Sequence, residues 1–213
     1  MDLFDEKTKQ QLKQVLSEMK NPIKIHFWTQ EIECPTCSVN HQFLMEISSL
    51  TDKIKLYVHD FVKEKDLAEK YNIDKIPAIL LTDEKETILG VRFFGIPAGY
   101  EINSFISACL ELSGVAEPID AAIEKRIKNI NKKVHIQVFV TLTCPYCPTA
   151  VMTAHKLAIK NSNIIADMIE SSTFTPLAIK YNVTSVPKTV INETLEFVGA
   201  QPLNLLLESI EKV

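Results

Sequence analysis

Lys70-Tyr-Asn-Ile-Asp-Lys-Ile-Pro77 recurs as Lys180-Tyr-Asn-Val-Thr-Ser-Val-Pro187, 110 residues further along the chain. Two cysteine motifs repeat at the same interval, Cys34-Pro-Thr-Cys37 and Cys144-Pro-Tyr-Cys147. Because two separate features share one offset, we infer an internal duplication rather than a chance match. The chain is therefore expected to contain two copies of one structural unit.

Both copies show the same alternation of strand and helix patterns. In the first copy, runs rich in branched and aromatic residues predict four strands, at Ile23–Thr29, Ile54–Asp60, Ala78–Thr82 and Ile88–Phe93. Helical patterns precede, separate and follow them, and Gly95 and Pro97 break the chain before the closing helix. The second copy repeats this order from Val134. The pattern predicts an α/β fold in which each unit has a central mixed β-sheet flanked by helices.

The boundary between the units is expected at Ser113-Gly-Val-Ala-Glu-Pro118, which lacks periodicity and contains both Gly and Pro. A helical pattern follows from Ile119 to Ile130. We therefore assign residues 1–115 to the first unit and residues 116–213 to the second. The linker is too short to let the units move freely.

Composition limits the class of protein. The chain has 213 residues, 46% of them hydrophobic, enough for one large core or two cores of about 100 residues each. A net charge of −4, with Lys and Glu interspersed, gives no reason to expect nucleic acid or an anionic membrane as a partner. No apolar run reaches the roughly 18 residues of a membrane span, and Met1–Lys20 is charged throughout, unlike a signal peptide. These features predict a cytoplasmic protein.

The cysteine pairs have the spacing of a redox centre. In each copy a strand pattern ends shortly before the first cysteine, and a helical pattern begins at or just after it. A helix N-terminus favours a thiolate, which is the species that attacks a disulfide, so Cys34 and Cys144 are the predicted nucleophiles. Three residues further, Cys37 and Cys147 can reach the mixed disulfide and are the predicted resolving cysteines. This chemistry needs no metal or organic cofactor.

Two other classes of protein remain open. Two Cys-x-x-Cys pairs also suit a four-cysteine zinc site, although more than 100 residues separate these pairs and a helical pattern follows each. A substrate-binding chaperone whose cysteines matter little is the second alternative. Metal content tests the first, and the activity of cysteine variants tests the second.

The second motif and its surroundings resemble glutaredoxin: Cys144-Pro-Tyr-Cys147 follows the apolar run at residues 138–143 and precedes Val186-Pro187. Two such units in one chain, with Phe93-Phe-Gly-Ile-Pro-Ala-Gly99 in the first, resemble the protein disulfide oxidoreductases of thermophiles. That resemblance covers essentially the whole chain. It implies a cytoplasmic enzyme that reduces, oxidises or isomerises protein disulfides, with a thioredoxin reductase as electron donor and a thermophilic source.

The resemblance also implies a substrate-binding surface. In thioredoxin-like folds the proline of such an Ile-Pro or Val-Pro dipeptide is cis and faces the active-site sulfurs, so the role carries over to Pro77 and Pro187. The backbone of Ile76 and Val186 would then pair with an extended segment of the substrate. These four residues are the predicted substrate-binding set.

A proton acceptor is harder to assign. Thioredoxin has a buried Asp in the strand before its cysteines, whereas alignment places His26 there in the first unit and Val138 in the second. Asp60 and Asp167, each expected to end the second strand of its unit, are candidate substitutes. The pattern favours solvated strand ends over this role.

Charge near the motifs predicts that the two sites differ. Glu31 and Glu33 precede Cys34, whereas Thr141-Leu-Thr143 precedes Cys144. Nearby negative charge disfavours a thiolate, so the first unit is expected to be the more reducing.

Two more residues could affect redox chemistry. His41 shares a helical face with Cys34 and Cys37 and would favour a thiolate if protonated, but a packed or solvated histidine is the favoured interpretation. Cys109 lies on an apolar helical stripe and is expected to be a buried structural cysteine.

Overall fold

The computed structural model describes residues 2–212. The first half of the chain contains, in order, α1 (Glu6–Leu16), β1 (Ile23–Thr29), α2 (Cys37–Ser49), β2 (Ile54–Asp60), α3 (Lys65–Lys70), β3 (Ala78–Asp83), β4 (Ile88–Phe94) and α4 (Ile102–Leu112). The second half contains α5 (Ala121–Lys128), β5 (Val134–Val140), α6 (Cys147–Lys160), β6 (Ile164–Glu170), α7 (Thr175–Lys180), β7 (Lys188–Ile191), β8 (Leu195–Val198) and α8 (Leu203–Glu211). The four predicted strands of the first copy are confirmed, the last two being one residue longer.

The strands of residues 2–212 form one continuous sheet, in the order β2-β1-β3-β4-β6-β5-β7-β8. In each half a central strand, β1 or β5, lies parallel to one neighbour and antiparallel to the other. The halves join where β4 and β6 pair in parallel, from Val91 with Ala166 to Phe94 with Ile169. The predicted mixed α/β architecture is confirmed, and the two units share their sheet.

The strand directions place both cysteine motifs on one edge of the sheet. Strands β1, β2, β4, β5 and β6 all run the same way, so their carboxyl ends lie together. The motifs follow β1 and β5, which are separated by three intervening strands. At about 4.8 Å per strand, the ends of β1 and β5 are about 19 Å apart.

Alternation along the strands divides the interior into two layers. In β1, Ile25 and Phe27 pack with Phe43 of α2 on one face of the sheet, and Trp28 packs with Ala68 of α3 on the other. Helix α6 lies in the same layer as α2, and α7 in the same layer as α3. Both cysteine motifs are therefore followed by helices on the same face. Burial of one large side chain such as Phe27 stabilises the fold by about 1.5–3 kcal/mol.

The seam between the halves has specific requirements. Gly90 in β4 has a φ of +65°, and a Cβ there would lie 2.5 Å from the carbonyl oxygen of Ile164. Beside it, the Arg92 guanidinium bonds the Asp167 carboxylate through two N–H groups at 2.7 and 2.9 Å, and both side chains are buried. Close backbone approach and a buried ion pair thus hold β4 against β6.

The predicted boundary falls in an irregular segment. No helix or strand covers residues 115–119, and α5 begins after Asp120, whose carboxylate accepts from the N–H groups of Ala122 and Ile123. This cap explains why the helix begins two residues later than predicted. Assignment of residues 1–115 and 116–213 to separate units stays a prediction. Among the described helices, none is long and apolar enough to cross a bilayer.

Candidate active sites: two disulfide pairs

Each cysteine motif is closed by its own disulfide. Cys34 is bonded to Cys37, and Cys144 to Cys147, with Cα–Cα separations of 5.4 and 5.5 Å. Helices α2 and α6 begin at the second cysteine of each pair, three residues after the first. The difference from the expected start arises because residues 34–37 form a separate turn, in which the Cys37 N–H donates to the Cys34 carbonyl at 3.2 Å. The second sulfur, not the first, stands at the helix start.

The two cysteines of each pair differ in exposure. Cys37 and Cys147 are 3% and 0% exposed, so no external thiol can reach them. Cys34 is half-buried and Cys144 is 8% exposed, which makes them the accessible sulfurs of their pairs. The roles of nucleophile for the first cysteine and resolving cysteine for the second stay a prediction, which this order of exposure supports.

The sites differ in how the first sulfur is solvated. At the second site, the Cys147 backbone N–H donates to the Cys144 sulfur at 3.1 Å. At the first site, the N–H of Cys37 is directed to the carbonyl oxygen of Cys34. A hydrogen bond to a thiolate favours it over the thiol, so this geometry favours the thiolate more at Cys144 than at Cys34. It acts in the same direction as the asymmetry predicted from Glu31 and Glu33.

Both X–Pro bonds of the repeated octapeptide are cis, as expected for Ile76-Pro77 and Val186-Pro187. Each proline directly precedes a strand, β3 or β7, that pairs antiparallel with the strand leading to the cysteines. Antiparallel pairing puts the beginning of β3 beside the end of β1, where Ala78 pairs with Trp28. The cis prolines therefore lie on the same edge of the sheet as the disulfides.

The residues before the prolines lie outside the sheet. Hydrogen bonding starts at the prolines themselves, since the Pro77 carbonyl accepts from Gly95 N–H at 3.1 Å and the Pro187 carbonyl accepts from Gly199 N–H at 2.8 Å. Ile76, which precedes the first of these prolines, is partly exposed, as is Val186 before the second. Their backbone is available at the edge that carries the sulfurs.

The residue that the sequence alignment placed at the acidic position of thioredoxin in the second unit, Val138, is wrong. His26 pairs with Tyr57 in β2, and Gln137 makes the corresponding pair with β6. Gln137, and not Val138, is therefore the counterpart of His26. His26 and Gln137 each occupy the fourth paired position of their strands, whereas Val138 occupies the fifth, so matching residue patterns without the strand register selected a position one residue too late.

Neither candidate carboxylate is free to act at a disulfide. Asp60 ends β2 as predicted, but its carboxylate accepts from two backbone N–H groups of the following turn. Asp167 lies within β6, and Glu170 ends that strand, so its predicted position was wrong. Burial alone would raise the pKa of Asp167, but Arg92 and His135 outweigh burial and hold the pKa well below its ordinary value.

A third carboxyl group, which the sequence analysis missed, has the expected environment. Glu101 is fully buried at the end of a single 3₁₀ turn, Gly99–Glu101. One of its oxygens accepts from the Ser104 hydroxyl, and the other is buried without a hydrogen-bond partner. Burial raises the pKa of Glu101 to about 7, and the bond from Ser104 opposes that rise. Between Arg92 and Glu111 it is the only charged residue, and that isolation is the sequence signal that could have identified it.

The turn that holds Glu101 packs against the second active site. Tyr100 N–H donates to the carbonyl of Leu142, in the loop between β5 and Cys144, at 3.0 Å. Gly99 has a φ of +59°, and a Cβ there would lie 2.3 Å from that same carbonyl oxygen. The turn also contacts α6, which begins at Cys147. A buried acid from the first half of the chain is thus held against the site of the second half.

The first site has a histidine chain on the other face of its sheet. His26 Nδ1 lies 3.1 Å from His59 Nε2, and His59 Nδ1 lies 2.9 Å from a carboxylate oxygen of Glu64. Burial and the neighbouring His59 lower the pKa of His26 to about 4, so it is neutral at pH 7. The buried polar group at this strand position is therefore uncharged.

The two remaining candidates are structural. The ring of His41 stacks on Phe27 at 6.0 Å between centroids, which agrees with a packed histidine. Cys109 is fully buried and outside any disulfide, and burial raises its pKa well above the ordinary thiol value. Its predicted burial is confirmed.

The fold also bears on the zinc alternative. Four cysteines sharing one zinc ion must all lie about 2.3 Å from the metal. Here the pairs follow strands whose ends are about 19 Å apart. Across residues 2–212, no group of three or more His, Cys, Asp or Glu side chains is arranged to hold a metal ion.

Family models match both halves of the chain. Residues 4–107 match the thioredoxin family, and residues 134–212 match a second model described as a thioredoxin domain. Both matched ranges include one disulfide and one cis proline.

Relatives and solved structures show the same pairing of domains. The chain is 30% identical over 184 residues to one component of the alkyl hydroperoxide reductase of Staphylococcus aureus, covering 86% of this chain and 33% of that protein. It spans about a third of the length of such relatives. A structure of the alkylhydroperoxide reductase component AhpF from Enterococcus faecalis superposes with a TM-score of 0.92 at 28% identity, covering 97% of this chain and 99% of that one. A protein disulfide oxidoreductase from Aeropyrum pernix superposes with a TM-score of 0.90 at 28% identity, covering 99% and 93%.

Two thioredoxin-fold domains, each with a closed Cys-x-x-Cys pair on a common sheet edge, define the class: the chain is a thiol-disulfide oxidoreductase of the thioredoxin fold. Within that class, the resemblance to the protein disulfide oxidoreductases that the sequence indicated is confirmed by the Aeropyrum pernix structure.

Proposed function

We propose that this chain exchanges disulfides with protein substrates at both of its cysteine pairs, in the cytoplasm. The observation that carries the proposal is the arrangement repeated at each site: an accessible sulfur, a buried sulfur three residues later at a helix start, and an adjacent cis proline. Cysteines placed in two such pairs are typical of redox enzymes of reducing compartments, where structural crosslinks are rare.

Reduction of a substrate takes place in two exchanges. The thiolate of Cys34 or Cys144 attacks one sulfur of the substrate disulfide, forms a mixed disulfide and displaces the other substrate sulfur as a thiolate. Cys37 or Cys147 then attacks the first cysteine, closes the internal disulfide and releases the second substrate sulfur. Two electrons pass to the substrate, and the two protons of the enzyme dithiol end on the substrate thiols. Oxidation of a dithiol is the reverse sequence.

The residues before the cis prolines supply the substrate-binding surface in this proposal. Ile76 and Val186 are partly exposed and precede the first sheet hydrogen bonds of β3 and β7. An extended substrate segment can pair with their backbone beside the sulfurs, as a strand added at that point. Pro77 and Pro187 are buried and fix the direction of that backbone.

Glu101 is the proposed proton acceptor at the second site. The buried Cys147 thiol must lose its proton before it can attack the mixed disulfide, and water has little access to it. A carboxyl with a pKa of about 7, held on a turn that packs against α6, is suited to take up that proton near neutral pH.

The electron donor is proposed to be a thioredoxin reductase, and the substrates are proposed to be the disulfides and dithiols of other proteins. A second candidate is suggested by the relative of Staphylococcus aureus, whose name refers to alkyl hydroperoxide reduction. In that case the chain would pass electrons to the disulfide of a partner that reduces hydroperoxides. The two candidates share the chemistry at the cysteines and differ in the protein that docks there.

The test is a redox titration of each pair, in Cys34→Ser/Cys37→Ser and Cys144→Ser/Cys147→Ser variants of the full chain, with insulin reduction assayed alongside. We expect each remaining pair to titrate as a two-electron couple and to reduce insulin, with the pair at Cys144 the more oxidising. Dithiols that retain zinc and form no disulfide would contradict the proposal. Unchanged activity after Cys34→Ser and Cys144→Ser together would favour a cysteine-independent chaperone.

A further inference from the structure

Asn40 is a buried polar residue directly behind the first disulfide. It lies in α2, one helical turn after Cys37, and its side chain has no exposure to solvent. Its counterpart in the second unit, 110 residues further, is the apolar Ala150. A polar group at this depth exists at only one of the two sites.

The orientation of the Asn40 amide is fixed. Its nitrogen donates to the carbonyl oxygen of Thr36, a residue inside the Cys34–Cys37 motif, at 3.0 Å. A carbonyl only accepts hydrogen bonds, so the nitrogen and not the oxygen must face it. The amide therefore reaches back towards the first turn of α2, and its oxygen, on the same carbon atom, is held there too.

That oxygen is unpaired in the disulfide state. The Oδ1 atom of Asn40 is buried and has no hydrogen-bond partner. A buried acceptor without a donor costs free energy, and such groups are rare in native proteins. When the disulfide is reduced, Cys37 gains an S–H donor, and at 3% exposure this donor has little access to water. Residues three apart on a helix share a face, so Cys37 and Asn40 are neighbours.

We propose that Asn40 is a positioning residue for Cys37, accepting the S–H hydrogen bond of its thiol in the dithiol state. The inference rests on the proposed function. Reduction delivers two electrons and two protons from a donor dithiol, breaks the Cys34–Cys37 bond and leaves a hydrogen on each sulfur. The hydrogen on Cys37 then pairs with the oxygen that was unpaired before. Because reduction satisfies this acceptor, Asn40 shifts the equilibrium towards the dithiol and makes the first pair more oxidising than it would otherwise be.

The two sites therefore treat their resolving thiol differently. At the second site Ala150 has no side-chain acceptor, and the turn that carries the buried acid Glu101 packs against α6 instead. At the first site a neutral amide holds the thiol in place without taking its proton. The acidic residues Glu31 and Glu33 act on the same pair in the opposite direction, by opposing the thiolate of Cys34.

The test uses Asn40→Ala, which installs the residue found in the second unit, and Asn40→Leu, which keeps the side-chain volume without polar atoms. Both pairs are titrated against dithiothreitol in the full chain. We expect the dithiol–disulfide equilibrium constant of Cys34/Cys37 to shift about tenfold towards the disulfide, which is about 30 mV more reducing for a two-electron couple. The Cys144/Cys147 pair is the internal control and should not move.

An unshifted Cys34/Cys37 potential in both variants, with or without a loss of unfolding free energy, would show that Asn40 serves helix packing alone and overturn the proposal. If one variant does not fold, the other carries the test, and the unchanged potential of the second pair reports that its fold is intact. If the first pair of the unmodified chain does not titrate as a two-electron couple, the proposed function itself fails at that site, which is a distinguishable result.

Discussion

At the scale of single residues, the resolving cysteines Cys37 and Cys147 are chemically alike but their neighbours are not. The repeat indicates where both disulfides and both cis prolines lie, because each copy carries its own set at a constant interval. Glu101 breaks that rule: it belongs to the first half of the chain by sequence and lies against the site of the second half. Comparing the two copies does not detect a residue of one copy that acts at the site of the other.

The first prediction at this scale concerns pH. Glu101 must be ionised to accept the Cys147 proton, and burial raises its pKa to about 7, so turnover at the second site should increase as pH rises through 7. In a Cys34→Ser/Cys37→Ser background, Glu101→Gln should lower insulin reduction by about 100-fold at pH 8 and remove this step from the pH profile. Glu111→Gln, which alters another partly buried acid, is the matched control. A retained step with Glu101→Gln would exclude the acid from proton transfer.

The sequence could identify Cys34, Cys37 and their counterparts because spacing alone determines whether two sulfurs can meet. It could not place the acid beside the second motif, because that placement depends on the turn after β4 meeting the loop after β5. The misassigned Val138 has a related cause. Equivalent positions are set by the hydrogen-bond register, in which His26 and Gln137 are each the fourth paired residue of their strands, and residue patterns along the chain do not reveal that register.

At the scale of elements, the pairing of β4 with β6 decides the architecture. Strand positions were predictable from local composition, since branched and aromatic residues mark them and Gly or Pro bounds them. The partner of an edge strand was not predictable, because β4 could have ended its own sheet just as β8 does. The buried pair of Arg92 and Asp167 across this seam is visible only once the strands are placed.

The second prediction tests that ion pair. Arg92→Met leaves the buried Asp167 carboxylate without its guanidinium partner and with the His135 ring as its remaining partner, so the free energy of unfolding at pH 7 should fall by about 3–5 kcal/mol in urea titrations. Arg92→Met/Asp167→Leu should recover most of the loss, because it removes the uncompensated charge as well. In the unmodified protein the pKa of Asp167 lies below that of an aspartate in the unfolded chain. The stability from this pair is therefore fully present at pH values above the ordinary aspartate pKa, and it is lost as the pH falls from there through the depressed pKa. A double variant no more stable than Arg92→Met would contradict the electrostatic account.

At the scale of the whole molecule, the shared sheet joins the two domains into one structural unit. Trp28 is the only tryptophan and lies in the first half, so its fluorescence reports on that half, whereas circular dichroism reports on both. We predict coincident urea transitions by the two probes, because separating β4 from β6 would expose the buried seam of both halves. Both probes should be recorded on the oxidised and on the reduced protein. A tryptophan transition that clearly precedes or follows the other would show that the halves unfold independently.

The common edge of the sheet has a consequence for how electrons move. Thiol-disulfide exchange requires two sulfurs in contact, yet the strands leading to the two pairs end about 19 Å apart on a continuous sheet. The two cysteine pairs therefore do not exchange electrons directly with each other. Electrons that enter at one pair leave from that same pair, unless a third thiol carries them to the other. About six residues of extended chain span the gap. An unfolded substrate protein with two disulfides about six residues apart along an extended segment could therefore occupy both active sites at once.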